Sequence, residues 1–155
     1  MKTLLLGLGN PILCDDSVGI RVAEVIRDRC PKIEMLEASA AGFRIADQLI
    51  GYDKIILIDA IQTGSAAAGT LHRFTPEDFR STHNFNSPHD MNLFEALDIL
   101  EQYGASLPSE IVIYGIEVSD IQTFSESCTP DVAQAIPAIS QKIIETEMLT
   151  ESCLN

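Results

Sequence analysis

Two adjacent aspartates, Asp15 and Asp16, close the loop GLGNPILCDD that follows the first apolar run of this chain. A glycine-rich turn after a buried strand often cradles a phosphate, because main-chain N–H groups and a helix N-terminus face the anion there. Two carboxylates at its end invert that chemistry, repelling phosphate and attracting a cation or a polarised peptide. Asp59, ending the run KIILID, and His89, in the segment SPHD, extend the set. Two hard oxygen ligands and one imidazole nitrogen form an open three-ligand set for a divalent transition metal, with positions left for water or substrate.

Each residue also has an ordinary reading. Asp16 is a good helix cap, and so is Asp59 if a helix follows it. His89 at a helix start suits a surface position. Asp59 is harder to explain this way, since a carboxylate closing so apolar a strand costs several kcal/mol if buried alone. His72 and His83 lie in an alternating and a polar segment, and serve as reserve candidates. Cys14 stands beside Asp15, but no histidine lies in a recognisable local signature for a thiol nucleophile, so it reads as a small buried hydrophobe.

Residues this far apart meet only if strand ends bring their loops to one rim, as in a parallel sheet covered by helices. The chain has that pattern. Thr3 to Leu8, Ile33 to Ala38, Lys54 to Asp59 and Glu110 to Val118 read as strands, the third of them mid-sheet, and Thr70 to Phe74 as an edge strand. Val18, Val22, Val25 and Ile26 recur at helical spacing after Asp16, with Asp16 or Ser17 as cap. Phe43 to Ile50, a segment opening at Thr75-Pro76, His89 to Tyr103, and a long segment from Thr129-Pro130 read as further helices. Pro137 is expected to kink or break the last, and the tail after Met148 to fray. The predicted fold is α/β: a three-layer sandwich with a twisted, mostly parallel sheet of about five strands and helices on both faces, in one domain over 1–155.

The charge narrows the partners. With 23 acidic and 10 basic residues the formal charge is -13, so nucleic acid and anionic membrane meet net repulsion, and no Lys/Arg run offsets it. A protein partner is expected. No window approaches the roughly 20 apolar residues of a bilayer span. The apolar start lacks the features of a signal peptide. Cys14, Cys30, Cys128 and Cys153 contain no C-x-x-C pair and read as neither zinc knuckle nor disulfide framework, which points to a reduced, cytoplasmic setting.

No nucleotide cofactor is expected. A dinucleotide loop needs a third glycine where this chain has Ile12, and although Glu37 imitates the ribose-binding acid, Asp15 and Asp16 would lie against the pyrophosphate. GLGNP, Gly7 to Pro11, resembles the opening of bacterial peptidyl-tRNA hydrolases. That family has a glycine after the proline and a catalytic histidine shortly beyond, where this chain has Ile12 and the aspartate pair.

Five ordered motifs resemble the hydrogenase maturation proteases from about residue 3 to 145: GLGN with DDSVG at Asp15 to Gly19, IILIDAI at Ile55 to Ile61, SPHDMNLFEAL at Ser87 to Leu97, YGIEV at Tyr114 to Val118, and FSESCTPDVAQAIPAI at Phe124 to Ile139. The resemblance implies a nickel-dependent endopeptidase that trims the C-terminal extension from the precursor of a nickel-iron hydrogenase large subunit after nickel insertion. It assigns Asp16, Asp59 and His89 to the nickel carried by that precursor, the residues singled out above on chemistry alone. A non-cleaving nickel-sensing chaperone would use the same three ligands. Ala38-Ser39-Ala40-Ala41-Gly42-Phe43 departs from the Gly-Gly-Thr-like stretch that many members carry after the second strand, in a loop thought to touch the precursor.

Overall fold

The computed structural model describes residues 1–39, 43–81 and 91–153. Strands β1 (Thr3–Leu8), β2 (Glu34–Ala38), β3 (Lys54–Ile61), β4 (Leu71–Phe74) and β5 (Glu110–Glu117) form one sheet in the order β2-β1-β3-β5-β4. Every pairing is parallel except β4 against β5. The expected edge position of Leu71–Phe74 and central position of the KIILID run both hold. β3 is buried along its whole length, which is why it reads as a continuous apolar run rather than an alternating one.

The helices are α1 (Val18–Arg29), α2 (Phe43–Ala46), α3 (Pro76–Ser81), α4 (Met91–Gln102) and α5 (Pro130–Thr146). On one face of the sheet, Val18, Val22 and Ile26 of α1 and Val132, Ile139 and Ile143 of α5 pack on Leu5, Ile56, Ile58 and Tyr114. On the other, Ile45 and Ala46 of α2 and Leu93, Phe94 and Leu97 of α4 cover Leu6, Ile55, Leu57 and Ile113. This is the expected three-layer sandwich. Strand residues alternate between the two clusters, as the period of two requires. Thr75 opens α3 by a reciprocal capping box: Asp78 N–H donates to Thr75 Oγ1 at 3.1 Å, and Thr75 N–H to Asp78 Oδ2 at 2.9 Å.

Three expectations at the C-terminal end and among the cysteines are corrected. Of the kink or break expected at Pro137, the break does not occur: α5 is helical through it, because its buried stripe lies on both sides of the proline and its packing outweighs one missing donor. The tail after Met148 is not frayed: Leu149–Cys153 forms a 3-10 turn with Leu149 buried. Cys30 at the end of α1 is joined to Cys153 as a disulfide. No local spacing signals a bond across a sequence separation of 123. The tertiary fold creates it.

At the amino edge of the sheet, the buried Glu147 gathers Lys54 Nζ at 2.7 Å, Arg73 Nε at 3.1 Å and the Tyr114 hydroxyl. Burial alone would raise the Glu147 pKa. The bonds from Lys54, Tyr114 and Arg73 outweigh it and hold the carboxyl below its usual range. The end of α5 is thereby fastened to β3, β4 and β5, leaving the opposite, carboxyl edge for loops.

Candidate active site

The carboxyl edge collects the loops after β1, β3 and β5. The first contains the 3-10 turn Cys14–Ser17, which packs against β3. Two glycines make that approach possible. A Cβ on Gly9, whose φ is +146°, would lie 2.0 Å from the Asp16 carbonyl oxygen. One on Gly19 would lie 2.3 Å from the Ile58 oxygen and 2.6 Å from the Leu8 oxygen. The start of α1 therefore presses on the ends of β1 and β3, and Asp16, just ahead of it, lies beside the segment that carries Asp59. Gly19→Ala is expected to lower unfolding stability by about 1–3 kcal/mol or more, because backbone atoms must separate to admit the methyl group. Denaturant titration against wild type measures this.

Asp16 and Asp59 are both buried at this edge. Asp16 Oδ2 accepts the Asn10 N–H at 2.9 Å, and Asp59 Oδ1 accepts the Ala60 N–H at 2.8 Å. The capping reading of the loop does not hold in its simple form. Ser17 occupies the cap position of α1, but its hydroxyl donates to the Cys14 carbonyl at 2.7 Å and makes no cap bond, and the Asp16 carboxylate turns back to Asn10. Asp59 lies within β3, not at its end, and faces the same side of the sheet as Ile55 and Leu57. That side is covered by α4. The far half of α4 lies by Ser109 and Ile111 at the start of β5, so Met91 begins the helix at the carboxyl edge.

His89, the third member of the predicted set, and His83 lie outside the described residues. Among the described residues, no group of three His, Cys, Asp or Glu side chains could hold a metal ion. Asp16 and Asp59 contribute two hard oxygen donors of the kind a divalent cation accepts. His72, in reserve at the sequence level, stacks on Phe74 with centroids 5.8 Å apart and points Nε2 toward Glu117 Oε1 at 3.5 Å. Glu117 is buried and accepts the Thr63 N–H at 3.2 Å as well as its hydroxyl, which holds the chain leaving β3.

The role of Asp15 separates sharply from that of Asp16. Its buried carboxylate accepts Thr129 N–H at 2.7 Å, Ser119 N–H and Asp120 N–H at 3.1 Å each, and the Thr129 and Ser119 hydroxyls. Burial pushes the Asp15 pKa up, but the donors from Asp120, Thr129 and Ser119 outweigh burial and hold it below the ordinary aspartate value. Main-chain bonds continue the seam: Cys14 N–H to Ser125 O, Ser125 N–H to Ile12 O and Asp15 N–H to Asp120 O, all at 2.9 Å. Asp15 thus joins the loops after β1 and β5. Its neighbour gave the sequence the same acidic signal, and only Thr129-Pro130 as a helix start hinted at a nearby orphan N–H.

The thiols do not support a nucleophile. Burial and then the Asp15 charge push the Cys14 pKa up. Cys128 is also raised, chiefly by burial. Both shifts run against the thiolate that a nucleophilic cysteine needs.

Comparison with known proteins agrees with this architecture. The chain is 28% identical over 146 residues to the hydrogenase 2 maturation protease of Escherichia coli K12, covering 91% of this chain and 88% of that protein. The structure of the hydrogenase maturating endopeptidase HybD from E. coli superposes with a TM-score of 0.80 at 25% identity, over 97% of this chain and 94% of that one. HybD from Thermococcus kodakarensis shares the fold, with a TM-score of 0.78 at 22% identity over 94% and 99% of the two chains. The family model for hydrogenase maturation proteases matches residues 20–146, a span that includes Asp59 and His89 and begins just after Asp16. With most of its length matched, and with the loops after β1 and β3 converging on one acidic edge, the chain belongs to the hydrogenase maturation protease family.

Proposed function

We propose that this chain is an endopeptidase that removes the C-terminal extension of a nickel-iron hydrogenase large-subunit precursor once nickel has been inserted. Family membership supports the hydrolase and its protein substrate. The observation that supports the site is that Asp16 and Asp59 are both buried and that the turn carrying Asp16 packs on β3, the strand carrying Asp59. With His89 they form an incomplete ligand set, which a metal arriving on the substrate completes. Nickel in this reading is cargo of the precursor, recognised and not owned by the protease.

The reaction is peptide hydrolysis. A carboxylate, Asp16 or Asp59, orients or deprotonates a water, whose oxygen bonds to the scissile carbonyl carbon, and the departing amine takes up a proton as the C–N bond breaks. The substrate's nickel polarises the carbonyl or the water. A cytoplasmic setting is part of this reading on the strength of the client alone, which is met after metal insertion and before assembly; the Cys30–Cys153 bond withdraws the argument from the cysteines. Among the described residues no helix is long and apolar enough to cross a membrane.

The test is to offer the purified protein nickel-loaded and nickel-free precursor and follow the large-subunit mass. Release of the C-terminal peptide from the loaded form alone is the expected result. Equal cutting of both removes nickel recognition while leaving the protease. Binding of the loaded form without cutting would make the chain a nickel-sensing chaperone.

A further inference from the structure

Ile12 and Phe124 are large apolar side chains exposed at 47% and 80% beside the candidate site. They come from different loops, yet the isolated parallel bridge between Leu13 and Ser125, with Ser125 N–H donating to Ile12 O, brings their backbones together, since each stands one residue before a bridge partner. The backbone beneath them is extensively hydrogen-bonded. Ser125 N–H donates to Ile12 O at 2.9 Å, the Asp15 hub ties the same two loops, and Arg21 Nη2 bonds Pro11 O at 3.3 Å and Glu126 O at 3.2 Å. An aromatic held on an ordered backbone in water leaves its apolar area uncovered, and that area becomes useful only when a partner covers it.

The charges around this platform define the partner. Glu126 is exposed two residues after Phe124, and in a cleft of about 410 Å³ next to Pro11 the Arg21 and Glu24 charges offset each other at 3.4 Å, so that Glu37 supplies the negative surplus. The surface is apolar at its centre and acidic at its rim, in a chain of charge -13. Ile12 also shares its loop with Asp16, which ties the platform to a segment that carries the site.

We infer that Ile12 and Phe124 form a preorganised docking platform for a segment of the precursor near its scissile bond, one that carries an apolar side chain flanked by lysine or arginine. This rests on the protease reading and adds where the client is gripped. The loops are ordered before binding, so less ordering entropy is lost on association. The acidic rim steers the basic flanks and makes binding salt-sensitive.

The experiment measures cleavage of nickel-loaded large-subunit precursor, purified from cells lacking this chain, by wild type, Phe124→Ala, Phe124→Leu and Ile12→Ala. Phe124→Ala is expected to raise KM by about tenfold or more with kcat changed less than about twofold, the split expected of a binding contact. Phe124→Leu restores most of the loss, Ile12→Ala gives a smaller rise, and added salt raises the wild-type KM. Unchanged KM in both alanine variants, with wild type cutting normally, overturns the platform and leaves the protease. A wild type that neither binds nor cuts the precursor removes both readings. Light scattering supplies a third arm: a dimer of this chain that Phe124→Ala splits would assign the platform to a second copy and overturn its role in gripping the client.

Discussion

Asp59→Asn is expected to lower kcat/KM for the nickel-loaded precursor by about 10²–10⁴-fold, the range for losing a positioned acid or base. Asparagine keeps the shape and an oxygen for the Ala60 N–H, so the strand and the 2.8 Å bond it makes have a substitute. What disappears, on the proposed mechanism, is the negative charge facing the nickel-loaded precursor and the capacity to accept a proton. Asp16→Asn follows the same logic, because its bond to Asn10 N–H also survives in an amide. His89→Ala is the corresponding change at the third predicted ligand. Quantitative mass spectrometry of the processed subunit reads all three, with far-UV circular dichroism verifying the fold. Wild-type cleavage by either asparagine variant would exclude that carboxylate from the chemistry. The paired test has a further use. If one aspartate is the base and the other only faces the metal, the base variant loses kcat, while the other also weakens capture of loaded precursor.

Asp15→Asn should be the most destabilising single change at the carboxyl edge, at about 3–5 kcal/mol, the usual loss when one side of a buried charged network is removed. The reason lies in donor geometry. Three main-chain N–H groups, from Ser119, Asp120 and Thr129, converge on this carboxylate, and an asparagine amide would face some of them with donors of its own. Urea titration compares the variant with wild type. The same network makes a pH prediction. The Asp15 pKa is depressed in the folded chain, so its contribution is fully present above the unfolded aspartate value near 3.9 and is lost as pH falls through the lower folded value. Wild type should therefore lose stability on acidification below about pH 4, and the variant should lack that component. Stability of both proteins at several pH values measures the difference. An identical pH slope in the two would mean that Asp15 is not the titrating anchor.

The two adjacent aspartates show how far residue type carries. Sequence chemistry placed both at the end of a loop that shuns phosphate, but it held no information about which donors would surround each one. Asp15 N–H and carboxylate both turn to the β5–α5 loop, more than a hundred residues away, whereas Asp16 turns to Asn10 within its own loop. A difference of one position rotates a side chain toward another set of partners, and those partners are chosen by tertiary packing.

Much else was written locally. The apolar run of β3 demands cover on both faces, and the helical stripes at Val18, Val22 and Ile26 and at Val132, Ile139 and Ile143 supply it on one of them. Those periodicities determined the strands, the helices, the central place of β3 and the edge place of β4, because burial of regularly spaced side chains is a local pattern read by a global core. The acidic loop, the buried aspartate of β3 and the histidine of SPHD were likewise visible as chemistry. Only the folded chain decided which residues meet. It sewed the first loop to the one before α5, left Ile12 and Phe124 exposed on the two joined loops, ran α5 through Pro137, and joined Cys30 to Cys153. Contacts between distant segments depend on how helices and strands pack in three dimensions, and no periodicity along the chain encodes the pairing of one particular loop with another.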